Sequence, residues 1–492
     1  MTGFEPPPGS GTTVNLSLIS HTNAGKTTLA RTLLGRDVGE VRDAAHVTDL
    51  SSGHVLVQSN ENTLMLWDTP GFGDTARLLS RLRMSGNPIG WFLSQVWDRW
   101  RERPLWSSQQ AIKNAREQAD VVLYLVNAAE DPAAASYVAL EMEVLAWIGK
   151  PVVVLLNQMG PPREDVSSEI ARWSGIGAAG QVRATLPLDA FARCWVQEIA
   201  LLETVTLLLP PAKALAMAGL NAKWQKLNRA RFDSSMAVLA GYLHRAARDR
   251  EAVEQSNWQG KVANAITGRS KGDRAARKAM GQLATRLAES TAKSTDELIR
   301  LHGLSGKAAR KVLERVSDDY AHQAKTPEGA SAALGGLLSG ALGGLAADLA
   351  AGGLTLGGGM LVGAILGAAS GTGLAKGFNL ARGEDSSSVR WSAELLQRLT
   401  VTALLRYLAV AHFGRGRGEW AEGEHPLFWH SVVADVVAER KDQLAQILKA
   451  SIGDGEPTAD VSKDLTHLLT KIGGTILERL YPEANEAGKP AN

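Results

Sequence analysis

At 492 residues, with 53 Lys and Arg against 51 Asp and Glu, the chain is long enough for two or three cores, and its net charge of +2 excludes a polyanion binder acting by bulk charge. The single cysteine, Cys194, excludes an internal disulfide and a thiolate metal cluster. The opening stretch MTGFEPPPGSGTT lacks a basic-then-apolar signal pattern, so the expectation is a cytoplasmic chain.

Residues 1–13, rich in Pro, Gly and Thr, read as a disordered lead-in. From Val14 to about Pro211, short β-rich runs alternate with helical stretches. The strand candidates are VNLSLI, HVLVQS, TLMLW, VVLYLVN, VVVLLN and ATLPLD. This alternation predicts an α/β domain over residues 14–211, with a mostly parallel sheet and helices on both faces.

The first run continues as NLSLISHTNAGKTTLARTLLG, residues 15–35, where a buried-strand pattern breaks into small polar residues and resumes as a helix. A strand, a loop ending Gly25-Lys26-Thr27 and a helix form the context in which GxxxxGK[ST] cradles phosphate. The backbone of Ser20, His21, Thr22, Asn23, Ala24 and Gly25, with the helix start at Lys26, Thr27 and Thr28, would wrap the phosphates. Lys26 would reach the outer phosphates and the Thr27 hydroxyl would hold Mg²⁺. Ser20 stands where a first glycine is expected, which works only if its backbone avoids conformations reserved to glycine.

The next strand ends in TLMLWDTPGFGD. Asp68 would serve the Mg²⁺ shell through water, and the Gly71 amide would sense a γ-phosphate. Between the two motifs, EVRDAAHVTDLSSG offers Thr48 as a switch threonine closing over the metal, against the plain reading of a surface-loop threonine. After VVVLLN, a guanine-reading site would run Asn-Lys-x-Asp, whereas this chain has Asn157-Gln158-Met159-Gly160. Asn157 would bond the base and Gln158 would lie over its face. Gly160 supplies no carboxylate, a loss of about 1.5–3 kcal/mol for base selection, with Asp165 and Asp189 as candidate substitutes.

Phe72 follows Gly71 where a Ras-like enzyme carries a water-orienting glutamine, and an apolar ring cannot do that work. Asn23 stands two residues before Gly25, where potassium-activated GTPases carry a cation-coordinating asparagine. A K⁺ there would offset transition-state charge; the bland reading is a hydrogen bond within the loop. Arg77 or a partner protein are the other candidates for promoting hydrolysis.

These motifs, in this order, together with NPIGWFLSQVWDRWRERPLW, EQADVVLYLVNAAEDP, VVVLLNQMGPP and YLAVAHFGRGRGEW, resemble one bacterial family: Era/TrmE-like GTPases joined to a C-terminal domain of unknown function. The resemblance covers nearly the whole chain. It implies a GTPase in which Gly25, Lys26, Thr27, Thr48, Asp68, Gly71 and Asn157 serve the nucleotide and magnesium. It implies no physiological role.

An insert at residues 74–118 interleaves Trp91, Phe92, Trp97, Trp100 and Trp106 with Arg81, Arg83, Arg99, Arg101 and Arg103. Packing against the helical C-terminal half, membrane-interface insertion and RNA stacking are its three readings. Because it follows Gly71, it is the candidate output element. Beyond it the expectation is an all-α region: basic helices over 212–328, where Lys and Arg outnumber Asp and Glu two to one over 213–325, a Gly/Ala-rich pair over 329–383, and further helices over 384–492.

In the Gly/Ala-rich pair, Gly336, Gly340 and Gly344 recur every four residues, as do Gly359, Gly363, Gly367 and Gly371, a glycine-zipper pattern. Its arms, 329–347 and 354–375, are long enough to cross a hydrocarbon layer of ~30 Å, and Lys307, Arg310, Lys311, Lys325, Lys376 and Arg382 flank the outer ends. A membrane hairpin and a tightly packed water-soluble helix pair both remain open. The basic run RSKGDRAARK reads as a solvated helix face, and His412, His425 and His430 show no metal-ligand spacing.

The combined expectation is a Mg²⁺-dependent GTP-hydrolysing switch at the cytoplasmic face of the inner membrane. Lys26, Thr48 and Asn23 would promote the reaction, and Thr27, Thr48 and Asp68 would surround the metal. Its partners would be GTP and GDP, membrane lipid and a protein effector. The alternatives are a soluble ribosome- or RNA-associated assembly factor and a nucleotide-binding scaffold with little turnover.

Overall fold

The computed structural model describes residues 11–22, 24–34, 51–73, 75–83, 86–94, 102–159, 166–176, 180–188, 194–253, 274–304, 378–382, 387–412, 427–452, 459–482 and 484. The chain divides into two compact units, one of residues 1–229, 412–426 and 481–492, the other of 230–411 and 427–480.

The first unit contains β1 (Thr13–Ile19), α1 (Lys26–Leu34), β2 (Ser52–Ser59), β3 (Asn62–Asp68), α2 (Thr75–Leu82), α3 (Pro88–Ser94), α4 (Arg103–Glu117), β4 (Val121–Asn127), α5 (Ser136–Ile148), β5 (Val152–Asn157), α6 (Val166–Ser174), β6 (Val182–Pro187) and α7 (Trp195–Leu208). Helix α8 (Pro211–Arg248) begins in this unit and ends in the second. The strands form one six-stranded sheet in the order β2-β3-β1-β4-β5-β6, parallel except for β2, which is antiparallel at the edge. This is the mostly parallel α/β sheet that the alternating runs predict.

Both faces of the sheet are covered, so its central strands read as unbroken apolar runs. Along β4, Val121, Leu123 and Leu125 join Leu16, Leu29, Leu155 and Leu201 on one face. Val122, Tyr124 and Val126 join Phe72, Leu78, Ile112 and Met142 on the other. The period of two is the pleat itself.

Strand β1 lies between β3 and β4, pairing Leu18 with Asp68 on one side and Leu16 with Val121 on the other. Ligand crevices of open α/β sheets form outside the carboxyl ends of strands at such a switch point. There the ends of β1, β3 and β5 bring together the loop beginning at Ser20, Asp68 and Asn157.

The described part of the insert packs on this same unit. Phe92 and Leu105 are buried in the sheet core beside α2, with Trp91 and Trp106 half-buried against it. Part of the apolar surface of these two tryptophans is therefore spent on the α/β domain itself. Trp97, Trp100, Arg99 and Arg101 lie outside the described residues.

The second unit is helical: the later part of α8, then α9 (Arg274–Leu301), α10 (Ala393–Ala411), α11 (Leu427–Glu439), α12 (Lys441–Ser451) and α13 (Ala459–Leu480). It adds a small antiparallel sheet in the order β7-β9-β8, from β7 (Arg250–Val253), β8 (Phe378–Arg382) and β9 (Ser387–Trp391), which strand signals after Pro211 do not announce. Strand β8 takes the end of the 329–383 stretch expected to be helical; residues 329–377, with the two glycine series, lie outside the described residues. Among the described residues, no helix is long and apolar enough to cross a membrane.

Arg406 of α10 is buried, its Nη1 donating to Thr291 O, Ser294 Oγ and Thr295 Oγ1 of α9 at 2.9–3.0 Å, with its guanidinium 4.7 Å from the Tyr242 ring centroid. The α13–α8 contact turns on adjacent glycines. A Cβ at Gly473 would stand 3.0 Å from Phe232 Cζ and 3.2 Å from Met236 Sδ, both buried side chains, whereas at Gly474 it would meet nothing within 4 Å.

The two alanine substitutions therefore have opposite expected signs. Gly473→Ala overpacks the contact and lowers folding stability by about 1–3 kcal/mol. Gly474→Ala raises it by about 0.5–1 kcal/mol through helix propensity. Chemical denaturation of the two variants checks both.

Candidate functional site

Strand β1 ends at Ile19, and α1 begins at Lys26 after six intervening residues. The turn depends on Gly25, which has a φ of +92° and whose absent Cβ would fall 2.7 Å from Asn157 Nδ2. Both conditions require glycine. Ser20, at the position expected for a first glycine, has no positive φ, which only Asn60 and Gln158 show among described non-glycine residues. Its hydroxyl accepts a hydrogen bond from Lys26 Nζ at 3.0 Å. The serine thus fits the turn and anchors the lysine.

Lys26 is buried, and burial pushes its ammonium below the usual lysine range, opposed by the nearby carboxylates of Asp68 and Glu141. Asp68, at the end of β3, is also buried; burial raises its pKa, opposed by the Thr27 hydrogen bond and the charges of Lys26 and Arg31. Thr27 Oγ1 donates to Asp68 Oδ2 at 2.7 Å. Asp68 Oδ1 is buried with no hydrogen-bond partner. An orphaned carboxylate oxygen beside a threonine hydroxyl suits a hard divalent cation or its water shell, so Thr27 and Asp68 fit Mg²⁺.

The segment after Asp68 folds onto the loop. Phe72 N donates to Ser20 O at 2.9 Å and Thr22 N to Phe72 O at 3.3 Å, and His21 pairs with Phe72 in a parallel bridge. Gly71 lies so close that a Cβ would be 2.9 Å from Thr22 Cα and 3.0 Å from Lys26 Nζ. The Phe72 side chain is sealed in the core.

Asn157, at the end of β5, is buried and donates from Nδ2 to Ala24 O at 2.8 Å. Its amide thus braces the phosphate loop. Gln158 follows with a φ of +56°. Thr28 is buried on α1. Ser20, His21, Thr22, Ala24, Gly25, Lys26, Thr27, Asp68, Gly71 and Asn157 are brought together. Asn23, Thr48, Gly160, Asp165 and Asp189 lie outside the described residues. Arg77, on α2, is ion-paired with Glu102 at 3.1 Å.

Sequence reading missed Glu141. This α5 carboxylate is fully buried and meets His21, Thr75 and Tyr124. A signal existed: in SYVALEMEVLAWI it shares the helical spacing of Val138, Met142 and Leu145, so it is a charge on a buried face.

A family described as a domain of unknown function (DUF3482) matches residues 178–453, more than half of the chain. The chain belongs to the DUF3482 family. The family described as 50S ribosome-binding GTPase matches residues 15–158 of this DUF3482 protein, the span that holds the loop, Asp68 and Asn157. The DUF3482 protein is a P-loop GTP hydrolase.

No curated protein matches it. Among solved structures it is similar to Era in complex with MgGDPNP and nucleotides 1506–1542 of 16S ribosomal RNA, at 17% identity and a TM-score of 0.30, covering 59% of this chain and 89% of that one. It is also similar to an Era variant from Aquifex aeolicus bound to GDP·AlF4⁻, at 16% identity and a TM-score of 0.30, covering 61% and 96%. NFeoB from S. thermophilus bound to GDP·AlF4⁻ and K⁺ matches at 14% identity and a TM-score of 0.24, covering 42% and 77%.

Gly25→Ala puts a methyl group into a left-handed backbone and onto the Asn157 amide. It is expected to cost about 1–3 kcal/mol of folding stability and to weaken nucleotide binding in parallel, read by denaturation and by titration with a fluorescent GTP analogue.

Proposed function

We propose that this DUF3482 protein is a Mg²⁺-dependent switch in which occupancy of the phosphate loop sets the position of the segment from Asp68 to Gly73 and of the helices after it. The observation that carries the reading is the backbone stitching of Phe72 to Ser20 and Thr22, directly beside the Thr27–Asp68 pair. A phosphate placed against Lys26 cannot leave Gly71 indifferent, because that glycine lies against the lysine ammonium.

In this reading Lys26 and the amides of the loop hold the phosphates. Thr27 and Asp68 hold Mg²⁺, with Thr48 as the expected third group. The metal supplies charge compensation at the phosphates when bound. Asn157 keeps the loop in shape through Ala24, and Gln158 stands beside the base. Phe72, sealed in the core, leaves water orientation to another group, for which a K⁺ at Asn23 or a partner protein are the candidates. The helices α2, α3 and α4 follow the moving segment and form the output. The stretch on which a membrane location rests contributes only β8 to the described residues, and there β8 pairs with β9.

Single-turnover assays with GTP test the reading. Turnover is expected with Mg²⁺, lost on chelation and in Lys26→Ala, and faster in KCl than in NaCl. Equal rates in the two salts, with Asn23→Ala silent, would remove the cation. Trp91 and Trp106 pack against the core that holds Phe72 and Leu78, so intrinsic fluorescence should differ between GTP- and GDP-loaded protein. Identical spectra would sink the switch while leaving the enzyme.

A further inference from the structure

We propose that Glu141 is a positioning residue of the GTPase reaction: its carboxylate clasps the phosphate loop through His21 and the start of α2 through Thr75. The loop and the segment after Gly71 are thereby held in one arrangement. The proposal rests on the switch reading above and deepens it.

Glu141 has no exposed surface. Its Oε1 lies 2.7 Å from His21 Nδ1 and accepts from Thr75 Oγ1 at 3.1 Å; its Oε2 accepts from the Tyr124 hydroxyl at 2.6 Å. An ionised carboxylate withdrawn from water needs donors of this kind. Burial and the Glu141 charge push the Tyr124 pKa well up, which keeps its proton on the oxygen and its hydroxyl a donor. Facing a carboxylate, His21 Nδ1 carries the ring proton.

The imidazole is fixed from a second side. It stacks on the Tyr137 ring at 4.3 Å, and the Tyr137 hydroxyl donates to Glu130 at 2.8 Å. Tyr137 and Glu141 are four residues apart on α5, so one face of one helix grips the loop side chain twice. The other arm, Thr75, opens α2, whose Leu78, Leu79 and Leu82 share a core with Phe72.

His21 is also the residue whose backbone bridges Phe72. The loop and the switch segment are therefore joined directly by backbone and indirectly through one carboxylate. If either moves alone, Glu141 loses a donor while remaining buried. That penalty makes the two move together. The negative charge also reaches Lys26, where it opposes the effect of burial.

The test uses the full-length protein with Mg²⁺ and GTP, comparing Glu141→Gln, Thr75→Val, Thr75→Ser and the Glu141→Gln/Thr75→Val double variant. Glu141→Gln and Thr75→Val should each lower kcat about tenfold or more while KM moves less than about threefold. Thr75→Ser, which keeps the hydroxyl, should recover most of the Thr75→Val loss. The double variant should be no slower than the slower single, the signature of one shared device. Should Glu141→Gln not fold, the Thr75 pair carries the test alone. Unchanged kcat in the singles, a loss confined to KM, or losses that multiply in the double would overturn the proposal while wild-type turnover leaves the switch reading standing. A wild-type protein with no GTP turnover would bring down both.

Discussion

Two opposite charges, Lys26 and Asp68, are held out of water under one loop, and each meets one hydroxyl, Ser20 for one and Thr27 for the other. Buried ions are costly unless well partnered, and one oxygen of Asp68 has no partner at all. The fold keeps this arrangement because the ends of β1 and β3 are pinned in register by the sheet, Leu18 opposite Asp68. A magnesium-bound triphosphate suits both charges at once, the anion for the ammonium and the metal for the carboxylate. The left-handed turn at Gly25 and the sealed position of Asn157 serve the same end, since both shape the backbone that would face the ligand.

From that seam the effects spread along covalent and packed paths. The residues after Asp68 run directly into Gly71 and Phe72, which lie on the loop, and then into α2. The buried Glu141 closes a circuit between these parts from α5, on the face of the sheet where α2 and Phe72 pack. The tryptophan-bearing insert is thereby not an appendage: Phe92 and Leu105 belong to the same apolar cluster as Phe72 and Leu78. In the proposed switch, movement at the phosphate end would be felt there, because close-packed interiors transmit displacement.

Much of the first unit is legible in sequence, because its central strands β4 and β5 are apolar on both faces and its loop motif requires glycine and lysine at set spacing. VVLYLVN and VVVLLN appear as strands with the expected bounds. The Ser20 departure resolves once the backbone shows no left-handed conformation there. Glu141 escaped because its meaning lies in His21, 120 residues away, a relation that spacing does not encode. The sheet of β7, β8 and β9 escaped for a related reason: its strands are only four and five residues long, and β7 finds β9 across more than a hundred positions. The insert showed its aromatic content but not its partner, since a tryptophan's burial depends on the surface opposite.

The sealed ring of Phe72 bears on the style of motion this enzyme permits. A phenyl group with no exposed surface cannot slide out by degrees, because a partial withdrawal opens an unfilled void whose cost is on the order of 3–5 kcal/mol. Intermediate poses are thereby depopulated. In the proposed switch the segment would therefore reside in one seat or another, crossing between them in a single thermally activated jump, a latch with two stops rather than a dial.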